Sequence, residues 1–153
     1  MKKFFTKNLK NKLITLAICA ALYLALILIS EFTWLGHTYL FHWTIIKMYG
    51  FSWVIAAVFI FFNGLPAALA ISVGNFVGTF LGHYLGTYLD RQAYAQITPD
   101  MDEYRKMYIL YETNYPFEIW FLTVLGSLLL GIILTIIFAI IARLKRKPQT
   151  ENS

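Results

Sequence analysis

Asn75, Thr79, His83 and Thr87 stand at every fourth residue of an apolar stretch, which puts an amide, two hydroxyls and an imidazole on one face of a helix. Polar groups in hydrocarbon are costly unless paired, so they turn toward a bundle interior or a wet cavity. The stripe fits two chemistries. One is hydrogen bonding between helices, with Ser127 or Thr135 as partner. The other is a polar pathway or solute site, with Asn75 near mid-depth and His83 nearer the outside. The other titratable groups are scattered. His37 and His42 lie in an aromatic loop with no carboxylates clustered beside them, a poor set of metal ligands. Lys47 reads as a side chain snorkelling to the membrane interface, at a depth where it would pair with Glu31. Asp90 and Arg91 read as solvated charges. Cys19 is the only cysteine, which excludes intrachain disulfides and thiolate zinc sites. No His-Glu-x-x-His, Gly-x-Ser-x-Gly or phosphate-cradling glycine motif occurs, and the apolar segments carry no carboxylate. No catalytic residue, metal or cofactor is therefore assigned, and an enzyme is not expected.

A polar stripe of this kind needs helices to hold it. One residue before it runs a second series, Ala70, Gly74, Gly78, Gly82 and Gly86, in which every fourth residue is small. Glycine weakens a helix by about 1 kcal/mol per site in water. In lipid, by contrast, small residues let two backbones approach closely, and close packing drives association there. The ridge predicts a packing partner. Thr123, Ser127, Gly131, Thr135 and Ala139 offer one with the same spacing, and Ala17, Ala21 and Ala25 offer another. The glycine-rich segment is expected to be the hub, pressed onto either of these or onto another chain.

Composition says what surrounds these helices. The 153 residues are 59% hydrophobic, 18% aromatic and only 14% charged, and their mean hydropathy is +0.62. Soluble domains carry about one quarter charged residues, so a disordered chain, a soluble nucleic-acid binder and an ordinary soluble enzyme are excluded. A bilayer needs about 20 apolar residues of helix. Residues 13–30, 43–62, 67–89 and 119–142 meet that need. The expected fold is an all-α membrane protein with four transmembrane helices in one membrane domain, its partner the lipid bilayer and not nucleic acid. The first segment reads as a retained anchor, because it has no small-x-small cleavage site and its apolar run exceeds the ~7–15 residues of a signal peptide.

Charge orients the segments. Lys2, Lys3, Lys7, Lys10 and Lys12 precede the first, and Arg143, Lys145, Arg146 and Lys147 follow the last; together they are nine of the 13 basic residues. Basic residues stay cytoplasmic, so both tails, 1–12 and 143–153, are placed inside, in the cytoplasmic membrane. Asn63-Gly64-Leu65-Pro66 is a turn cluster between the second and third segments. In the outer loop, residues 90–118, Thr98-Pro99-Asp100 looks like a helix start. Tyr104, Tyr108, Tyr111 and Tyr115 then fall at helical spacing. They predict a short amphipathic helix on the outer surface, its tyrosines either packed down to close the top of the bundle or left to bind a partner.

Residues 12–89 resemble the substrate-binding S-components of energy-coupling factor transporters. The likeness rests on Lys12-Leu13 followed by Ala20-Ala21-Leu22-Tyr23-Leu24-Ala25-Leu26, and on Phe62-Asn63-Gly64-Leu65-Pro66-Ala67-Ala68 leading into a glycine-rich helix. It implies a solute-binding subunit that needs a larger partner for energy, with Ala17, Ala21 and Ala25 touching the transmembrane coupling subunit. Read from the residues alone, the function is that of a small solute-binding or permeation subunit of a transport system, with another membrane protein or a second copy as partner. The alternative is a non-catalytic accessory, assembly or immunity protein acting by helix packing.

Overall fold

The computed structural model describes residues 2–43 and 49–144, and every regular element among them is helical. Lys47, Lys145, Arg146 and Lys147 lie outside the described residues. Helix α1 spans Lys2–Phe32, α2 Tyr39–Trp43 and α3 Tyr49–Phe61. Helix α4, Leu65–Leu81, passes through a π turn at Gly82–Gly86 into α5, Thr87–Ala95. A short α6, Glu103–Met107, and α7, Tyr115–Leu144, complete the chain. Three helical stretches are long and apolar enough to cross a membrane: Leu9–Phe32, Leu65–Ala95 and Tyr115–Leu144. Helix α3 is apolar but shorter, with 13 residues.

Local chemistry sets the helix ends. Helix α3 closes in a Schellman motif: the Gly64 N–H donates to Phe59 O at 2.7 Å and the Asn63 N–H to Ile60 O at 3.2 Å. The motif needs a left-handed residue, and Asn63 supplies it with φ of 64°. Pro66 then sits in the first turn of α4, where a missing N–H costs nothing. Lys12 Nζ reaches the same corner and donates to Phe61 O at 2.9 Å, which satisfies one of the end carbonyls of α3. At the start of α7, Asn114 Oδ1 accepts the Phe117 N–H at 3.2 Å, an amide N-cap.

Helix α4 is the hub of the bundle and packs against α1, α3 and α7. Its seam with α7 is made of the small residues. A methyl group added at Gly74 would stand 2.5 Å from Ser127 Cβ, and one at Gly78 would stand 3.2 Å from Thr123 Cβ. One at Gly131 would stand 2.6 Å from Ala70 Cβ, and one at Gly82 would stand 2.5 Å from Pro116 O. At Gly86 it would overlap the Pro116 backbone. The two helices run antiparallel in a single register from Ala70–Gly131 to Gly86–Pro116. A strict four-residue ridge on a straight α-helix drifts about 40° per step, or about 160° from Ala70 to Gly86. The π turn, with its wider i→i+5 closure, takes back part of that drift and keeps Gly82 and Gly86 on α7.

The structure differs from the sequence reading in several places. The helix of the third segment runs past residue 89 to Ala95, into the stretch read as outer loop. The alanine ridge of α1 does not face the hub. Ala17 and Ala21 are exposed and Ala25 is half-buried. The packed face is Thr15, Cys19, Tyr23, Leu26 and Ser30, all buried, with Cys19 Sγ donating to Ala68 O at 3.6 Å. Larger side chains there give more contact area than an alanine row.

The outer helix is also corrected. It is capped by Asp102, whose carboxylate accepts the Arg105 N–H at 3.3 Å, and not by Thr98. It widens into a π turn at Tyr108–Glu112 and stops before Asn114, so Tyr115 belongs to α7. Tyr104, Tyr108 and Tyr111 face outward, and the buried residue beneath them is Ile109. Helix α7 is bare for most of its length, with only Pro116, Trp120 and Gly131 buried. In water so much apolar surface would aggregate, whereas in a bilayer it meets acyl chains.

Candidate functional site

The polar stripe splits by depth. Asn75 and Thr79 are completely buried, while His83 and Thr87 are half-buried and open to one side. In the buried half, Asn75 Oδ1 accepts the Trp120 Nε1–H from α7 at 3.1 Å. Asn75 Nδ2 is buried without a hydrogen-bond partner. The Thr79 hydroxyl donates back to Asn75 O at 2.7 Å, and the Thr123 and Thr135 hydroxyls likewise bond within their own helix. The link from stripe to α7 therefore runs through Trp120, and Ser127 meets Gly74 instead of a polar group.

The open half lines a cleft of about 500 Å³ between the 3-10 turn after α1, the π turn and the start of α7. Its walls include Trp34, Tyr39, Tyr84 and Tyr88, with His83, Thr87 and Arg91 along one side and Pro116 at the back. Each wall is fixed from the sequence upward. Thr33 ends α1 by donating to Ile29 O at 2.5 Å, and its oxygen accepts the Leu35 N–H at 3.3 Å. Those two bonds make the tight turn that carries Trp34, and buried Leu35 anchors it. Thr38 follows, its hydroxyl donating to Leu35 O at 2.6 Å, and starts α2. Helix α2 buries Leu40 and Phe41, and the Phe41 ring meets Phe80 edge-on at 5.2 Å and His83 at 5.8 Å. The imidazole is thus held between Phe41, Tyr84 at 4.7 Å and Trp34 at 5.8 Å.

Two polar contacts tie the far wall to α7. Asn114 Nδ2 donates to the Tyr39 hydroxyl oxygen at 3.0 Å, and the Tyr115 N–H donates to Asp90 Oδ1 at 3.3 Å. Asp90 therefore serves the start of α7 and is not simply solvated. Arg91 lines the cleft, a role its sequence position did not reveal. The signal was there, because the four-residue period Asn75, Thr79, His83, Thr87 continues to Arg91. Trp34 and Tyr39 belong to the aromatic loop that holds His37 and His42, and only the folded loop turns them onto the stripe. The site also sits on a π turn, a feature frequent at functional sites because it re-aims side chains out of the regular helical row. His37 and His42 are exposed and do not line this cleft. No protein-family model matches the chain, and no curated protein or solved structure is significantly similar to it.

Proposed function

We propose that the chain is a solute-binding subunit of a membrane transport system, with the aromatic cleft as its binding site and a larger partner as its source of energy. The observation that carries this reading is the cleft itself. The polar stripe of the hub helix surfaces there, as His83 and Thr87, inside a concave and mostly apolar pocket of ligand size. In this reading the chain crosses the cytoplasmic membrane four times, with residues 43–62 as the second crossing. Both termini, together with Lys10, Lys12 and Arg143, are cytoplasmic, and the cleft opens outside. The exposed Ala17 and Ala21 of α1 form a smooth strip on which a partner's helix would lie closely. That is the use the S-component resemblance gives them.

The test is affinity purification of the full chain from its native membranes. Co-purification of a membrane coupling protein and a transport ATPase is the expected result. A toxin-type or assembly partner in their place would favour the accessory reading, for which the outward tyrosines Tyr104, Tyr108 and Tyr111 are the supporting observation. In uptake assays, His83→Leu and Thr87→Val should impair transport without loss of membrane expression.

A further inference from the structure

The cleft carries a charge pattern that selects its ligand. His83, Thr87 and Arg91 stand four residues apart along one helix face, so the stripe ends on a guanidinium at the margin of the cleft. Tyr84 and Tyr88 run beside it, one residue on, and Trp34 comes from across the cleft. Trp34 is 65% exposed, and Tyr84 and Tyr88 are each 57% exposed, so all three rings keep uncovered surface.

Among the described residues no carboxylate lines the cleft. Asp90, the neighbour of Arg91 in sequence, is engaged by the Tyr115 N–H at the start of α7. Among the described residues Arg91 has no ion-pair partner. The described lining of the cleft therefore carries one charged side chain, the exposed guanidinium of Arg91, while Asp90 keeps its negative charge outside that lining. A guanidinium on the lining favours an anion over a cation at that margin. The planar fork of a guanidinium matches a carboxylate with two parallel hydrogen bonds. Flat rings stack on the uncovered aromatic faces.

Resting on the solute-binding reading above, we infer that the ligand is a small monoanion built on a flat ring. Its carboxylate is bound by Arg91, Thr87 adds a neutral hydrogen bond, and its ring lies against Trp34, Tyr84 and Tyr88. A volume of about 500 Å³ accommodates a compound of one or two rings. An aromatic-walled cleft is also the usual receptor for an organic cation. Here the guanidinium opposes one, and no acid among the described residues lines the cleft to receive it.

Three probes that share a ring and differ in charge decide the matter: indoleacetate, its neutral amide indoleacetamide, and the cationic amine tryptamine. Binding is measured by equilibrium dialysis on the full chain in a neutral detergent. Indoleacetate should bind at least about tenfold more tightly than the other two, the worth of one charge-assisted hydrogen bond. Arg91→Gln should bring indoleacetate down to the level of the amide, with the helical circular dichroism of the parent showing that the variant is folded. Trp34→Ala should weaken all three.

A preference for indoleacetate that survives Arg91→Gln overturns the inference, as does tighter binding of tryptamine or saturable binding of none of the three. A site that phosphatidylglycerol fills to the exclusion of all three would reassign the guanidinium to a lipid headgroup and overturn it equally. Tighter binding of the amide or the amine would leave the solute-binding reading standing, since that reading falls on the partner purification.

Discussion

Asn75 holds one hydrogen bond and forgoes another. Its oxygen secures the indole N–H of Trp120, while its amide N–H₂ is buried without a partner. A buried orphan donor costs about 1–3 kcal/mol, comparable to what the Trp120 bond returns. Asn75→Leu removes the orphan but strands the indole N–H, so its net effect is small. Trp120→Phe strands the Asn75 oxygen as well. A double-mutant cycle on unfolding in mixed micelles should give a coupling of about 0.5–1.5 kcal/mol between the two. A coupling indistinguishable from zero would remove the bond from the account of this helix pair. The sequence marks Asn75 plainly, because an amide in an apolar segment is conspicuous. Its partner is not marked, since Trp120 looks like one more apolar residue of the fourth segment. The clue was the indole donor, which a buried tryptophan must place somewhere.

At the scale of elements, the contact between α4 and α7 is the most demanding in the molecule. Gly74→Ala drives a methyl into Ser127 Cβ at 2.5 Å and should destabilise the protein by about 1–3 kcal/mol, with Ser127→Gly restoring part of the loss. Gly126→Ala is the internal control. A methyl at Gly126 has nothing within 4 Å, so the change should be neutral or stabilising through helix propensity alone. Equal losses at Gly74 and Gly126 in the same unfolding assay would show that the seam is not where stability resides.

The glycine and serine spacings made this pairing legible in part: Gly74 meets Ser127, Gly78 meets Thr123 and Gly131 meets Ala70, whereas Gly82 and Gly86 meet Pro116, outside the second ridge. The π turn was not legible. Periodicity marks which residues share a row but not where a row must be bent back to stay in contact. The alanine row of α1 shows the complementary limit. Ala17, Ala21 and Ala25 have the same spacing as a packing ridge, yet Thr15, Cys19, Tyr23, Leu26 and Ser30 form a face of their own and bury more surface. Small-residue spacing permits close approach without specifying the partner, and on α1 that face points away from the hub.

For the whole molecule, the chain has one end holding Lys12 and the Asn63 corner and another holding the cleft and the outer helix. The proposed arrangement, four crossings with both termini inside, would give a definite labelling pattern. On a Cys19→Ser background, Tyr104→Cys should react with a membrane-impermeant maleimide in intact cells. Phe62→Cys and Arg143→Cys should react only after the membrane is opened. Labelling of Phe62→Cys from outside would reverse the hairpin and with it the side on which the cleft opens. The membrane character was readable from composition alone. The proposed second crossing was less so, because residues 43–62 are apolar apart from Thr44, Lys47 and Ser52, while the described helix within them is only the 13-residue α3. The fit at Gly86 has a mechanical corollary. With not even a methyl's clearance between that glycine and Pro116, α7 is splinted to the floor of the cleft and neither can turn alone. A protein gripping the long bare shaft of α7 would hold a lever whose short arm ends beneath the proposed binding cleft.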